Sequence, residues 1–210
     1  MNQTVILSTA YLPNIQYFSK ILAYKKIEIE KHENFVKQSF RNRCSVYGAN
    51  GKLDLTVPLI HSSERTLVSQ KKISYRDAWQ KLHWKTISSA YRSSPYFEFF
   101  EQDFEIFYEK EYEFLFDFNF ELIKLVCSLL KISPEISFTE TYQKEIAVAD
   151  DLRNFFRPQN DAESDKNFQI KEYYQVFGNK YGFIPNLSII DLLFNEGLNT
   201  LNILKMDGVV

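Results

Sequence analysis

A run of cation- and amide-bearing side chains, HENFVKQSFRNRC, occupies residues 32–44. Lys37, Arg41 and Arg43 place three positive charges within seven residues. Guanidinium groups bind phosphate or carboxylate through paired hydrogen bonds, and a lysine adds a point charge. Gln38 and Asn42 can hydrogen-bond uncharged parts of the same ligand. These residues therefore predict an anion-binding wall.

The same cations have a plainer explanation, which is ion pairing within the fold. Carboxylates that could neutralise them lie just upstream, at Glu28, Glu30 and Glu33. If residues 41–47 are extended, Arg41 and Arg43 share one face of a strand, because side chains alternate along a strand. Two neighbouring guanidiniums repel each other unless an anion or a carboxylate lies between them. Both interpretations remain open from the residues alone.

Two histidines are candidate general bases, because imidazole titrates near neutral pH. His32 opens the basic run, and His83 falls between Trp79 and Ile87 on an apolar helical stripe. A hydrogen-bonded core histidine is the alternative at His83. His61 lies in a polar segment and is expected to be exposed to solvent.

Motifs for common cofactors are absent from the sequence, so we expect no cofactor and no metal. There is no GxGxxG, no GxxxxGK[ST] and no GxSxG, and no cluster of His, Cys, Asp or Glu has metal-ligand spacing. A net charge of −2 is not that of a general nucleic-acid binder. No apolar run approaches the roughly 18 residues needed to cross a membrane. The N-terminus lacks the basic region of a signal peptide, so cytoplasmic localisation is expected, with the oligomeric state open.

The order of elements predicts a β-α-β crossover at the start of the chain. TVILST at 4–9 is rich in β-branched residues, Pro13 breaks it, and apolar residues at helical spacing indicate a helix over 14–24. KIEIEK at 26–31 resumes the strand pattern. Since ligands of open α/β sheets bind beyond the strand ends, this crossover places the basic run at such an end.

Later segments predict a hairpin and then mainly helices. Asn50-Gly51 is a hairpin turn signal, and helical periodicity covers most of 77–131. Ser188 followed by Asp191 favours a helix start with Asp191 as a capping group, while a carboxylate approaching the basic run is the alternative. We predict one α/β domain over 1–210, with a small mixed sheet, a helix-rich middle and C-terminal part, and a mobile connection at 142–172. An α+β arrangement is the alternative.

Several stretches together resemble the WbqC-like family, which is found in bacterial surface-polysaccharide (O-antigen) gene clusters and elsewhere. They include LSTAYLPNIQYF at 7–18, HENFVKQSFRNRC at 32–44, WQKLHWKTISSAYRSSPYFEFF at 79–100, YEFLFDFN at 112–119 and GFIPNLSIIDLLFNEG at 182–197. Lys37, Arg41 and Arg43 match the family's K-x-x-x-R-N-R core residue by residue.

The resemblance implies work on an activated sugar, and we expect a nucleotide sugar or another phosphate or carboxylate ligand. One hypothesis is an enzyme that transfers an acyl or aminoacyl group. Its basic residues would hold phosphates, His32 or His83 would act as the base, and rings would stack on a base or sugar, namely Tyr11, Trp84 and Tyr91. The alternative is a non-catalytic ligand-binding or scaffolding protein of the same pathway.

Overall fold

The computed structural model describes residues 3–62, 64–158, 165 and 168–205. Within them the strands are β1 (Thr4–Ser8), β2 (Lys26–Glu30), β3 (Arg43–Gly48), β4 (Gly51–Thr56), β5 (Glu135–Phe138) and β6 (Asp150–Asp151). The helices are α1 (Ile15–Ala23), α2 (Trp79–Tyr91), α3 (Phe97–Glu109), α4 (Leu115–Leu129), α5 (Gly178–Tyr181), α6 (Ile189–Glu196) and α7 (Thr200–Leu204). Two 3-10 turns occupy Val68–Gln70 and Gly197–Asn199.

The predicted crossover at the start of the chain is confirmed. β1 and β2 pair in parallel from Thr4 opposite Lys26 to Ser8 opposite Glu30, and α1 connects them. The side chain of Asn14 caps α1 by accepting from the amide of Tyr17 at 3.0 Å.

The α/β class is confirmed, with the strands divided between two sheets. A four-stranded parallel sheet has the order β5-β2-β1-β6, and β3 with β4 forms a separate antiparallel hairpin. All four parallel strands direct their carboxyl ends to the same edge. The residues that follow β1, β2, β5 and β6 therefore meet there.

Aromatic side chains fill the space between the helices. Phe194 on α6 is fully buried and packs edge-on against Phe97 and Phe104 of α3, with ring centroids 5.2 and 5.3 Å apart. Tyr91 of α2 contacts the same ring at 5.3 Å. Such edge-to-face packing is a favoured geometry for rings, and it joins α2, α3 and α6 into one layer.

The segment 142–172, for which the sequence predicts a mobile connection, contributes to the sheet within its described part. β6 pairs in parallel with β1, through Val5 opposite Asp150 and Ile6 opposite Asp151. The side chain of Arg153 is buried just after β6. Residues 159–164, 166 and 167 of this segment lie outside the described residues.

Candidate functional site

A buried ion pair between Glu33 and Arg41 joins the two ends of the loop from 33 to 43. Arg41 is 4% exposed, and its Nε and Nη2 donate to the two carboxylate oxygens of Glu33 at 2.9 and 2.6 Å. The same Nη2 also donates to the hydroxyl of Ser8 at the end of β1, at 2.8 Å. Arg41 thus has the intramolecular partner that the ion-pairing alternative requires.

Arg43 has different surroundings, although it is only two residues further on. β3 begins at Arg43, so Arg41 lies outside the strand and the predicted alternation does not apply to it. The condition under which the two arginines would share a strand face is therefore not met. Arg43 lines a cavity of about 210 Å³, and its buried Nε has no hydrogen-bond partner.

This cavity, here called the basic pocket, collects four of the residues singled out from the sequence, Lys37, Gln38, Asn42 and Arg43. Phe35, Leu59, Ile60, His61, Ser62 and Lys71 complete its described lining. None of these ten lining residues is acidic.

Backbone hydrogen bonds bring the two distant halves of the basic pocket together. The amide of Val57 donates to the carbonyl of Asn42 at 2.8 Å, and the Asn42 side chain donates back to the Val57 carbonyl at 2.9 Å. The amide of Phe35 donates to the Thr66 carbonyl at 2.9 Å. Segment 57–71 is thereby held against loop 33–43.

Lys71 and His61 were missed as site residues from the sequence. Their segment approaches the basic run through long-range contacts such as these, and no spacing rule connects the two stretches. Lys71 is 9% exposed, and its Nζ lies 5.7 Å from the centre of the Phe35 ring. His61 is exposed, as the sequence predicts, and it lies on the rim of the basic pocket.

A second cavity of about 230 Å³, the sheet-edge cavity, lies at the carboxyl ends of the parallel strands. It is lined by His32, Glu33, Asn34, Val36, Tyr142, Arg153 and Asn154. Arg153 donates to Glu30 at 2.9 Å and to Asp151 at 2.7 and 2.8 Å, and its guanidinium lies 4.9 Å from the centre of the Tyr142 ring. Hydrogen bonds from Arg153 lower the pKa of Asp151. Both the guanidinium and Glu33 are thus already paired.

His32 faces the sheet-edge cavity rather than the basic pocket. Its amide donates to the Glu30 carboxylate at 2.7 Å, and its ring Nε2 is buried without a hydrogen-bond partner. Loop 33–43 therefore lies between the two cavities, with His32 on one side and Lys37 and Arg43 on the other.

The model of the WbqC-like protein family matches residues 9–164. The chain belongs to this family. It is also similar to the uncharacterized protein Rv1507c of Mycobacterium tuberculosis (strain ATCC 25618 / H37Rv), with 24% identity over 94% of this chain and 95% of the relative. No solved structure matches the chain significantly.

His83 of this WbqC-like chain lies in an interior network of hydroxyl groups. Its Nδ1 is 3.0 Å from the Tyr11 hydroxyl, which in turn lies 2.8 Å from the hydroxyl of Tyr108. Burial lowers the pKa of His83 to about 4, although a hydrogen bond to the backbone of Thr56 opposes this shift. The ring is therefore neutral near pH 7, as a hydrogen-bonded core histidine would be.

Of the aromatic candidates in this WbqC-like fold, Trp84 and Tyr91 lie on α2, and Tyr11 lies in the segment between β1 and α1. Tyr11 is fully buried, and Trp84 stacks on Tyr108 while donating to Glu105 at 2.9 Å. Tyr91 is buried and donates to Asp191 at 2.8 Å. None of these rings lines the basic pocket or the sheet-edge cavity, and neither does His83.

Asp191 does not cap its helix through its side chain. Its carboxylate accepts hydrogen bonds from Tyr91, Tyr173 and Gln175, while its amide donates to the carbonyl of Ser188. The predicted capping role of its side chain is wrong, because three donors from other segments engage the carboxylate. Groups that could hold a metal, meaning three or more His, Cys, Asp or Glu together, are absent among the described residues. No helix in the described ranges is long and apolar enough to span a membrane.

Proposed function

We propose that this protein binds a phosphate- or carboxylate-bearing ligand in the basic pocket. The observation that carries the proposal is a set of cations without counter-charges. Among the described residues, Lys37, Arg43 and Lys71 make no ion pair, and the pocket lining contains no carboxylate. An anion placed among them would gain charge-assisted hydrogen bonds.

The other buried cations support this proposal, because each of them has a carboxylate partner. The described chain buries Lys20, Arg41, Lys71 and Arg153. Lys20 pairs with Asp165, Arg41 with Glu33, and Arg153 with Glu30 and Asp151. Lys71 is the exception, because its ammonium lies over the Phe35 ring and has no carboxylate partner among the described residues, which leaves its charge available to an anion from outside the chain.

The family resemblance supplies a chemical class for that partner. Because WbqC-like proteins are associated with surface-polysaccharide genes, we propose that the ligand is an activated sugar and that the basic pocket holds its phosphates. Transfer of an acyl or aminoacyl group to or from such a sugar is the enzymatic form of this proposal; His32, the predicted base, lines the sheet-edge cavity on the other side of loop 33–43 and is not among the residues that line the basic pocket.

A non-catalytic binding role in the same pathway is the second candidate. The observation that favours it is the make-up of the basic pocket, whose described lining contains one imidazole, that of the exposed His61, and no carboxylate or thiol. His83, the other candidate base, is buried in the hydroxyl network with a lowered pKa.

Calorimetric titration tests the proposal on the full chain. The probes are inorganic phosphate, pyrophosphate and a panel of nucleotide sugars. Arg43→Gln removes the guanidinium from the basic pocket, while Arg92→Gln removes an exposed guanidinium at the end of α2. A charge-assisted hydrogen bond contributes about 1.5–3 kcal/mol, so we expect Arg43→Gln to weaken binding about tenfold or more.

Arg92→Gln should bind like the unsubstituted protein. The proposal is overturned if none of the probes binds, or if Arg43→Gln and Arg92→Gln bind equally well. Among the nucleotide sugars, turnover in the presence of an acyl donor would separate the enzymatic form from the non-catalytic one.

A further inference from the structure

A third cavity adjoins the basic pocket and differs from it in chemistry. This adjoining cavity has a volume of about 450 Å³ and is lined by Leu59, Ile60, His61, Ile73, Ser74, Tyr75 and Arg76. Its first three residues also line the basic pocket, so the segment 59–61 is a shared wall. The remainder of its lining comprises Ile73, Ser74, Tyr75 and Arg76, with no carboxylate among the described residues.

The shared wall is held rigidly by backbone contacts. The amide of Ile60 donates to the Lys72 carbonyl and the amide of Ser74 donates to the Pro58 carbonyl, both at 2.9 Å. Across the cavity, the Tyr75 hydroxyl donates to the Tyr112 carbonyl at 3.0 Å and accepts from the Tyr112 amide at 2.7 Å. The ring of Tyr75 is thereby fixed, as a preformed ligand site requires.

The two cavities complement each other in volume and in charge. Small-molecule sites have volumes of about 300–1,000 Å³ and combine apolar walls with a few placed polar groups. The basic pocket alone, at about 210 Å³, falls below that range and holds most of the charge. The adjoining cavity supplies the missing volume and apolar surface, and the exposed Arg76 at its far side makes no ion pair among the described residues.

We infer that the ligand is an organic anion whose apolar or aromatic body occupies the adjoining cavity while its phosphate or carboxylate occupies the basic pocket. This inference rests on the proposed function and narrows it, since a free inorganic anion would leave the adjoining cavity empty. Leu59, Ile60 and Ile73 would contact the body, and Tyr75 offers a ring edge or face to an aromatic group.

The experiment compares phenyl phosphate with inorganic phosphate by calorimetry on the full chain. Burying a phenyl ring against apolar walls should make phenyl phosphate bind about tenfold more tightly or better. Of the two cavities, Ser74 lines only the adjoining one. Ser74→Trp therefore fills the adjoining cavity without removing a charge. We expect Ser74→Trp to abolish the preference and to leave inorganic phosphate binding unchanged.

Two further variants complete the test. Ser93→Trp places the same side chain at an exposed position after α2 and should keep the preference. Ser74→Leu is a smaller filling change that should reduce the preference partly, and it serves if Ser74→Trp does not fold.

The possible failures are distinguishable. The inference falls, and the proposed function stands, if inorganic phosphate binds through Arg43 but phenyl phosphate binds no better. The inference also falls if Ser74→Trp and Ser74→Leu retain the full preference shown by Ser93→Trp. Absence of binding by both phosphates, together with absence of binding by the nucleotide sugars, would overturn the proposed function itself.

Discussion

Arg41 and Arg43 show how strongly position controls the role of one side-chain type. The Arg41 guanidinium is enclosed with Glu33 and the Ser8 hydroxyl, whereas Arg43 opens onto the basic pocket. Breaking a buried ion pair by removing one partner leaves the other charge uncompensated. The two arginines should therefore respond differently to substitution, one in stability and one in binding.

We expect Arg41→Met to lower the free energy of unfolding by about 3–5 kcal/mol, because Glu33 would remain buried without its partner. Urea denaturation followed by circular dichroism measures this change. Arg92→Gln, at an exposed site, should stay within about 0.5 kcal/mol of the unsubstituted protein.

The double variant Arg41→Met with Glu33→Leu provides the matched control. Replacing both charges with apolar groups should recover much of the stability, since an apolar pair does not leave a stranded charge. If Arg41→Met alone is as stable as the unsubstituted protein, the ion pair does not hold the base of loop 33–43.

At the residue scale, the sequence predicted part of the basic pocket and missed the rest for a physical reason. Lys37, Gln38, Asn42 and Arg43 belong to one short run, so their proximity follows from chain connectivity. Lys71 enters through pairing with a segment almost thirty residues away, which no local pattern encodes. The inward turn of Arg41 depends on where β3 begins, and strand boundaries are poorly fixed by periodicity.

At the scale of elements, Asp191 fastens three parts of the chain together. It lies on α6, and its carboxylate accepts from Tyr91 of α2 and from Tyr173 and Gln175 of the preceding segment. Burial raises the pKa of Asp191 to about 6, although the three hydrogen bonds oppose that shift. The carboxyl group that links α6 to α2 therefore loses its proton at a higher pH in the folded chain than in the unfolded chain.

The sign of the resulting pH dependence follows from proton linkage. An unfolded aspartate has a pKa of about 3.9, so the folded chain retains the Asp191 proton over a range in which the unfolded chain releases it. The contribution to stability is complete below about pH 4 and is lost as the pH rises through about 6. The rise in the pKa of Asp191 from about 3.9 to about 6 corresponds to about 3 kcal/mol of stability.

We expect Asp191→Asn to remove this dependence. The free energy of unfolding of the unsubstituted protein, minus that of the variant, should fall by about 3 kcal/mol between about pH 4 and pH 7. Urea denaturation at several pH values across this range measures the difference. The contributions of the other carboxyl groups are the same in both proteins and cancel. A difference that is constant with pH would show that Asp191 does not titrate differently in the two states.

On the scale of the whole molecule, elements near both ends of the described chain lie in the core. α6, near the C-terminus, contributes five residues with no exposed surface to the core, namely Ile189, Ile190, Leu192, Leu193 and Phe194. β1, near the N-terminus, lies inside the parallel sheet between β2 and β6. Neither end of the described chain can be removed without opening the core.

We therefore expect the chain to unfold in one cooperative transition. Tryptophan fluorescence reports on α2, which contains Trp79 and Trp84, while far-ultraviolet circular dichroism reports on all helices. The two signals should give coincident urea midpoints. Separate midpoints would instead indicate that the helical layer and the parallel sheet unfold independently.

The fold was predictable from sequence where contacts are local. The β-α-β crossover and the hairpin at 43–56 each depend on neighbouring residues and on a turn or cap, here Asn14 and Gly51. The positions of β5 and β6 at opposite edges of the sheet were not predictable. β6 consists of Asp150 and Asp151 alone, and two acidic residues carry no strand periodicity.

The ion pair between Glu33 and Arg41 affects how an anionic ligand approaches the protein. Because Glu33 and Arg41 neutralise each other, the Glu33 carboxylate does not offset the positive charge of the basic pocket. The chain as a whole carries a net charge of −2, so an approaching anion is weakly repelled until it reaches this face. Salt screens exposed charges beyond about 8 Å at physiological ionic strength. Attraction therefore acts only over the last step of the encounter, and it selects the orientation in which the anionic end arrives first.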